Sequence, residues 1–272
     1  MRRIVLCADD YALSPGVSAG IRELFAAGRL NATSVMTIFP EIETEAKALL
    51  SVRSPIPFQI GLHATLTGGF QPLAATPIPS PHCHLPASRQ TWPPFGFFRI
   101  ESMKVKAEVK AQLEKFIRVF GRAPDYVDGH QHVQLMPGVR VPFLEAVKER
   151  APNAWVRQCA PARWSDEFFN AKSRFLGFLS RGFRRKARRT GLAFNPAFSG
   201  AYDYDRPSDF GASFARFIEG MPEGGVVMCH PGHPDEILRS RDTLTDQREK
   251  EFDFLMSKDM QRILSEANVC LA

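Results

Sequence analysis

The 272-residue sequence predicts an α/β fold in which helices cover a parallel β-sheet. Short apolar runs alternate with helical patterns along the chain, which is the order that βαβ units produce. Several of these runs, such as residues 4–8, are apolar at every position, as strands buried on both faces of a parallel sheet are. A polar residue able to bind a ligand follows several predicted strands, and sites in parallel sheets form at the carboxyl ends of the strands.

The first part of the chain predicts three strands with helices between them. Residues 4–8 form the first strand. Ser14 and Pro15 then start a helix that ends near Gly28, because serine caps helices and proline suits the first helical position. Further strands are predicted at residues 33–39 and 58–66, separated by a helical pattern that runs through Leu50. The stretch at about 71–98 is rich in proline and predicts a long surface loop inserted in a single domain of residues 1–272.

The second part continues the alternation of strands and helices. Helices are predicted at residues 103–120 and 139–148, where apolar residues recur with helical spacing. A single polar helix is predicted over residues 244–267. The predicted strands are residues 124–130, 154–157, 192–194 and 225–230.

The composition is that of an ordinary globular protein, with 44% hydrophobic and 24% charged residues. The five cysteines are scattered and form no CxxC pair, which disfavours a disulfide framework and favours a cytoplasmic location. The apolar run after Met1 is shorter than the ~7–15 residues of a signal-peptide core. No stretch approaches the ~18 apolar residues of a membrane span. The net charge of +6 suits an anionic partner without selecting one.

Two adjacent carboxylates, Asp9 and Asp10, follow the first predicted strand. Buried carboxylates persist when they are paired or bind a metal, so one could bind a cation while the other stays free as a base. His63 follows Gly61 and Leu62 at the end of the third strand. Each signal alone also fits a structural role, since an acidic pair can begin a turn and a lone histidine is often a hydrogen-bonded core residue.

A further polar group is the segment Asp128-Gly129-His130-Gln131-His132. If the strand continues through it, Asp128, His130 and His132 share one face, with a metal ligand beside residues that orient it. Arg157 follows a shorter strand, and His230 precedes a Pro-Gly turn after the last one. The alternative for the Asp128 segment is a set of polar surface residues, and for His230 it is a turn leading into a helix with incidental histidines.

Taken together, these strand ends favour two imidazoles and a carboxylate around one divalent ion with open coordination positions. Zn²⁺ suits such nitrogen and oxygen ligands. Mg²⁺, Mn²⁺ or another divalent ion is also compatible with the sequence.

Four segments together resemble the YdjC-like carbohydrate deacetylases, a family that includes hopanoid-associated members. They occur in the family's order and at similar spacings over nearly the whole chain. Two positions depart from many members: Gln134 stands where many have a third histidine, and Tyr11 stands where many have phenylalanine. The matching segments are Ala8-Asp9-Asp10-Tyr11-Ala12-Leu13-Ser14, Gly61-Leu62-His63, Asp128-Gly129-His130-Gln131-His132 and Met228-Cys229-His230-Pro231-Gly232.

The resemblance implies a distorted (β/α) barrel that removes an acetyl group from an N-acetylated sugar, either an oligosaccharide or a lipid-linked sugar. It implies that Asp10, His63 and His130 bind the metal and that Asp9 is the base that takes a proton from water. From their placement, we expect Arg157 to help stabilise the oxyanion and His230 to protonate the leaving amine.

Two other functions fit the same residues. One is a metal-dependent phosphoesterase, which would use a similar ligand set, often with two metals. The other is a non-catalytic sugar- or lipid-binding barrel with a structural metal. The second carboxylate, Asp9, favours catalysis, because a binding protein needs no unligated carboxylate. The sequence leaves the oligomeric state open, with a homodimer as one alternative.

Residues 172–189 form a strongly basic segment, with eight basic residues and no acidic one. Aromatic and aliphatic residues interleave with these charges: Phe175, Leu176, Phe178, Leu179 and Phe183. A basic amphipathic helix is typical of peripheral contact with an anionic membrane, here the inner face, and we expect the interleaved phenylalanines and leucines to enter the headgroup region. The alternative is a solvated helix whose apolar face packs on the barrel. Nucleic-acid binding is disfavoured, because the sequence contains no recognition motif.

Overall fold

The structure is a computed structural model that describes residues 1–74, 102–162, 171–202 and 209–271. Most of the proline-rich insert predicted at 71–98 lies outside these ranges. Within them, the strands are β1 (Arg2–Arg3), β2 (Val5–Tyr11), β3 (Ala32–Val35), β4 (Gln59–Ala64), β5 (Tyr126–Gly129), β6 (Trp155–Val156), β7 (Phe198–Ser199), β8 (Val226–Cys229) and β9 (Val269–Cys270).

Seven of these strands form one parallel sheet in the order β6-β5-β4-β3-β2-β8-β7. The sheet curls, and its two edges approach each other. Val156 bridges to Phe194, and the Asn195 side chain accepts a hydrogen bond from the Gln158 N–H and donates one to the Gln158 carbonyl. The sheet is therefore a distorted, incompletely regular (β/α) barrel, which confirms the predicted fold class.

The helices cover the outside of this sheet. In chain order they are α1 (Pro15–Ala26), α2 (Ile42–Leu50), α3 (Ser102–Phe120), α4 (Pro137–Arg150), α5 (Ala171–Thr190), α6 (Phe210–Ile218), α7 (Glu236–Arg241), α8 (Asp246–Met256) and α9 (Lys258–Glu266). Helix α1 begins as the sequence predicts, because the Ser14 hydroxyl accepts a hydrogen bond from the Val17 N–H and Pro15 is the first helical residue.

The single helix predicted over residues 244–267 is wrong. The chain forms α8 and α9 there, because Ser257 between them is extended, with ψ at 164°. The Ser257 hydroxyl accepts a hydrogen bond from the Met260 N–H and so caps α9. The predicted strand at 192–194 is reduced to the bridge at Phe194, and β7 was not predicted.

The strand predicted over residues 124–130 ends earlier, at Gly129. The chain then forms a 3₁₀ turn over His130–Leu135, called the His130 turn below. Gln131 and His132 have left-handed backbones there, with φ at 54° and 57°. The expectation that Asp128, His130 and His132 share one strand face is therefore wrong, because this turn replaces the strand before His132 is reached.

The core lies between the sheet and its helices. Strand β2 runs through the middle of the sheet, and from Leu6 to Tyr11 every residue of it is buried. Buried apolar residues on α1 and α4, such as Leu24 and Phe143, cover the sheet. None of the helices within the described ranges has the length and apolar character needed to cross a membrane.

Candidate active site

Three predicted metal ligands meet at the carboxyl ends of neighbouring strands. Asp10 lies near the end of β2, His63 near the end of β4, and His130 immediately after β5. One oxygen of Asp10, Oδ1, lies 3.3 Å from His63 Nε2 and 3.1 Å from His130 Nδ1. One ligand atom from each residue lies within 4.8 Å of the other two. The topology therefore brings together side chains that are up to 120 residues apart in sequence.

The backbone at Asp10 is unusual and lies at the centre of this cluster. Its φ is 68°, in the left-handed region that non-glycine residues seldom adopt, although aspartate does so more often than most. The register between β2 and β3 shifts between Ala8 and Tyr11 at the same place. Such strain persists when the surrounding structure enforces it, and it is common at functional sites. The adjacent carboxylates Asp9 and Asp10 reach separate sets of partners there.

His63 is held in place by a second carboxylate. Its Nδ1 lies 2.6 Å from Asp128 Oδ1, while its Nε2 faces Asp10. Although burial alone would lower the pKa of His63, the charges of Asp128 and Asp9 raise it to about 10. The surroundings therefore favour positive charge at this imidazole. A carboxylate on the far nitrogen is also the usual support for a histidine that binds a metal, and the sequence predicted that role for Asp128.

Arg157 lies behind the cluster and connects Asp9 to Asp128. Its Nη1 and Nη2 lie 2.6 and 2.7 Å from the two oxygens of Asp9, and Nη2 is also 2.6 Å from Asp128 Oδ2. Burial alone would raise the pKa of Asp9, but the Arg157 charge and the nearby histidines hold it well below its usual value. Asp9 is therefore ionised at neutral pH and kept in a fixed orientation.

A second cluster of possible metal ligands consists of Cys7, Asp9 and Asp128. The Arg157 guanidinium contacts all three of these residues. Arg157 Nη2 lies 2.9 Å from Cys7 Sγ, and burial raises the pKa of this thiol well above its usual value. A protonated thiol is not a metal ligand. Within the described residues, the candidate metal centre is therefore the Asp10, His63 and His130 cluster. Both terminal nitrogens of Arg157, the residue expected at the oxyanion, are directed at carboxylates.

Sequence reasoning missed Arg248 on α8. Its Nη2 donates to Asp10 Oδ2 at 2.7 Å and to Asp242 Oδ2 at 2.8 Å. Burial alone would raise the pKa of Asp10, but Arg248 and the two histidines hold it well below its usual value. The two oxygens of Asp10 thus face different groups: Oδ2 faces Arg248, and Oδ1 faces the imidazoles. No sequence signal separates Arg248 from the other charged residues of its polar helix.

His230 follows β8, on the other side of β2 from β3. Its backbone N–H donates to Glu251 Oε2 at 2.6 Å, and the Tyr202 hydroxyl donates to the other oxygen of Glu251. Burial lowers the pKa of His230 to about 4 and raises that of Glu251 to about 7. The His230 imidazole is therefore neutral at neutral pH in the free protein. Sequence reasoning did not identify Glu251 or Tyr202 as partners of this residue.

His132 and the two positions that depart from the family pattern make contacts with residues outside the cluster. His132 is buried, with Nδ1 3.6 Å from Cys159 Sγ and its ring against Phe198. Gln134 donates from Nε2 to the Arg157 carbonyl at 3.2 Å. The Tyr11 hydroxyl donates to the Glu45 carbonyl at 2.7 Å. Of the two predicted supporting residues, Asp128 contacts a candidate ligand directly, whereas the contacts of His132 described here are with Cys159 and Phe198.

The curled parallel sheet and the Asp10, His63 and His130 cluster at its carboxyl end define an α/β barrel with a candidate metal centre. The chain belongs to the YdjC-like protein family, whose sequence model matches residues 3–266. This membership confirms the resemblance found in the four sequence segments.

The relatives of this chain include enzymes that act on sugars. The chain is 32% identical over 259 residues to a carbohydrate deacetylase from Mus musculus, covering 85% of this chain and 78% of the mouse protein. It is 26% identical over 239 residues to a chitooligosaccharide deacetylase from Yersinia pestis (strain Pestoides F), covering 86% of this chain and 83% of that protein.

A solved structure shares the fold over the whole chain. It is the crystal structure of a proposed cellobiose-phosphate cleavage protein from Enterococcus faecalis V583, and the two structures align with a TM-score of 0.72. The alignment covers 100% of this chain and 97% of that protein at 20% sequence identity. At this identity the likeness shows the fold alone.

Proposed function

We propose that this protein hydrolyses the acetamide group of an N-acetylated sugar and depends on one divalent metal bound by Asp10, His63 and His130. The observation that carries the proposal is the convergence of these three ligand atoms within 4.8 Å, next to a second buried carboxylate, Asp9. The names of the relatives from mouse and Yersinia supply the class of substrate.

The side chains fit a catalytic metal in both composition and arrangement. Two imidazole nitrogens and one carboxylate oxygen are ligands that Zn²⁺ accepts, and three protein ligands leave positions open for water and substrate. Mg²⁺ prefers oxygen ligands, so the two imidazoles favour Zn²⁺ over Mg²⁺. When bound, such a metal activates water and polarises the acetyl carbonyl.

Asp9 is proposed as the general base. It is ionised at neutral pH, and the two bonds from Arg157 fix the direction of its carboxylate. A fixed carboxylate next in sequence to a metal ligand could take a proton from the attacking water. Because the charge of Arg157 keeps the pKa of Asp9 low, the protonated form is a strong acid that readily gives the proton up again. We assign Arg157 to positioning Asp9 and Asp128, because its terminal nitrogens are already engaged with them.

His230 is proposed to deliver a proton to the leaving amine. The imidazole is neutral in the free protein, so it must first receive the proton that Asp9 has taken from water. The low pKa that burial gives His230 then favours donation to the amine nitrogen. The balance is one water and one acetamide consumed, and one acetate and one amine released. Glu251 holds the His230 backbone and so sets the position of the ring.

The test is acetate release from N-acetylglucosamine, from short chitooligosaccharides and from an N-acetylated glycolipid. The purified protein is stripped of metal and then assayed with Zn²⁺, with Mg²⁺ and without either. We expect acetate and free amine in equal amounts, only with a metal present. The matched control is His233→Ala, which removes a histidine that pairs with Glu23 rather than with the cluster. No acetate from any of these sugars with any metal would reject the proposal.

A further inference from the structure

We propose that the outer face of α5 binds the surface of an anionic lipid bilayer. This arginine face consists of the exposed residues of the helix at helical spacing, namely Arg174, Phe178, Arg181, Arg185, Arg188 and Arg189. Residues three and four apart lie on the same side of a helix, so these side chains form one continuous stripe. The inference concerns binding alone and holds or fails independently of the proposed enzymatic activity.

The two sides of α5 are sharply different. Leu176, Leu179, Phe183 and Ala187 are buried in the core of the domain. The expectation that the interleaved leucines and phenylalanines enter the headgroup region is therefore wrong for Leu176, Leu179 and Phe183, because their apolar surface is already covered by the barrel. Phe178 is the exception: it is 64% exposed and lies between Arg174 and Arg181 on the arginine face. The packing leaves one aromatic ring and a row of guanidinium groups directed outward.

The carboxyl-terminal part of this face, at Arg185, Arg188 and Arg189, carries positive charge that no described acidic residue balances, in contrast to the neighbouring helices. On α3 and α4, basic residues pair with acidic ones: Lys106 and Lys110 with Glu149, and Arg150 with Glu114. Helix α5 contains no acidic residue. Within the described ranges, no carboxylate lies within ion-pairing distance of Arg185, Arg188 or Arg189.

Like charges at this spacing destabilise a helix. The domain therefore tolerates repulsion on α5 that it relieves on α3 and α4. A bound anionic surface would offset this repulsion.

Nearby residues add positive charge and hold part of the stripe in place. The guanidinium groups of Arg184 and Arg188 lie over the Phe194 ring, at 5.7 and 5.3 Å from its centroid. Gly182 lacks a side chain where the helix meets Arg140, which donates to the Leu135 carbonyl at 2.7 Å. The arginine face is thus on the outside of a helix that packs against the His130 turn and α4. A bilayer held there would lie on the outer side of the wall that carries His130.

The chemistry of the face favours lipid over nucleic acid. A flat bilayer can meet the whole convex side of one helix, with the arginines on lipid phosphates and the Phe178 ring among the headgroups. A sequence of exposed arginines without a recognition module offers no means of reading bases. Each basic residue near an anionic bilayer strengthens binding several-fold, so Arg185, Arg188 and Arg189 together can hold the protein on such a surface.

The test is co-sedimentation of the full chain with vesicles. One set contains phosphatidylcholine alone, and the other contains equal parts of phosphatidylcholine and phosphatidylglycerol. We expect binding to the second set only, and loss of that binding when salt is raised from ~0.1 M to ~1 M, where the Debye length falls from ~10 to ~3 Å. Replacing Arg185, Arg188 and Arg189 by glutamine should weaken binding by roughly 100-fold.

A matched control distinguishes the contribution of this face to vesicle binding from that of net charge. The variant with Arg3, Arg122 and Arg262 replaced by glutamine loses the same three charges at exposed arginines that pair with Glu223, Asp125 and Glu266. It should bind anionic vesicles almost as the unchanged protein does, while Phe178→Ser should bind several-fold more weakly. Equal loss in both triple variants would overturn the proposal, as would absence of binding at low salt. Duplex DNA and free lipid are also compared as competitors that release the protein from vesicles. If duplex DNA releases it at the lower concentration, the face binds nucleic acid instead.

Discussion

Replacing Arg157 by glutamine removes the guanidinium that bridges Asp9 and Asp128. Both carboxylates are buried, and the terminal nitrogens of Arg157 contact three of their oxygens at 2.6 to 2.7 Å. Removing one partner of a buried ion pair costs about 3–5 kcal/mol, because the remaining charge is left buried without compensation. A domain is stable by about 5–15 kcal/mol. The variant should therefore lose about a fifth or more of its stability, and its melting temperature should fall by roughly 10 °C.

The pH dependence of this loss identifies its cause. Arg157 helps to hold the pKa of Asp9 below its unfolded value, so the pair stabilises the fold above pH ~4 and this stabilisation disappears as pH falls further. Without Arg157, burial dominates and raises the pKa of Asp9. At low pH the Asp9 carboxyl of the variant is therefore protonated, and the cost of burying its charge disappears. The difference in unfolding free energy between the two proteins should shrink as pH is lowered from 7 to 4.

The assay is urea unfolding followed by circular dichroism over this pH range. The control is Arg262→Gln, because Arg262 is an exposed arginine whose pairs with Asp259 and Glu266 contribute little. If Arg157→Gln is as stable as the control variant, the buried guanidinium does not neutralise these carboxylates. If its deficit is the same at pH 4 and pH 7, the loss comes from packing rather than from charge.

Three further predictions concern the site. His63→Ala and His130→Ala should lose bound Zn²⁺ in elemental analysis, whereas His233→Ala should keep it. Asp9→Asn should keep the metal and lose roughly 10²–10⁴-fold in turnover, because it removes a positioned base. Glu251→Gln should flatten the pH dependence of stability: the raised pKa of Glu251 stabilises the fold below pH 4.5, and up to ~3 kcal/mol of this is lost as pH rises past about 7.

Each of these predictions has a result that would contradict it. Full metal occupancy in both histidine variants would remove His63 and His130 from the ligand set. Wild-type turnover by metal-loaded Asp9→Asn would assign the base elsewhere. For Glu251, an unfolding free energy that changes with pH equally in the variant and the unchanged protein would show that another group titrates. For Glu251, thermal melts at pH 5 and pH 8 are sufficient to distinguish the two outcomes.

The sequence predicted the parts of the site that depend on strand ends. Asp10, His63 and His130 each follow an apolar run, and a parallel sheet necessarily brings such positions to one edge. Arg248 could not be predicted in this way. It reaches Asp10 from α8, across 238 residues, and its local sequence is that of any solvated helix. Its role depends on how α8 packs against the barrel, and no periodic pattern encodes that packing.

Local backbone geometry was the second feature that could not be predicted from the sequence. Gln131 and His132 adopt left-handed conformations that glycine favours, so their identities did not predict that the strand ends at Gly129. The end of the helix at Ser257 could not be predicted either, because a serine within a polar helical pattern can continue a helix or cap the next one. In contrast, the α1 boundary was predicted correctly from Ser14 and Pro15, where capping chemistry and the helical pattern agree.

Asp128 has consequences for anyone who redesigns this site. One of its oxygens holds His63, and the other accepts from Arg157 and from the Ser34 hydroxyl at 2.6 Å. Arg157 in turn holds Asp9. A substitution at Asp128 intended to alter metal preference would therefore reorient the neighbouring Asp9 carboxylate as well. In the proposed site, metal preference and proton transfer would therefore be coupled through Asp128, and changes meant to affect only one of them should be sought on the Arg248 side of Asp10.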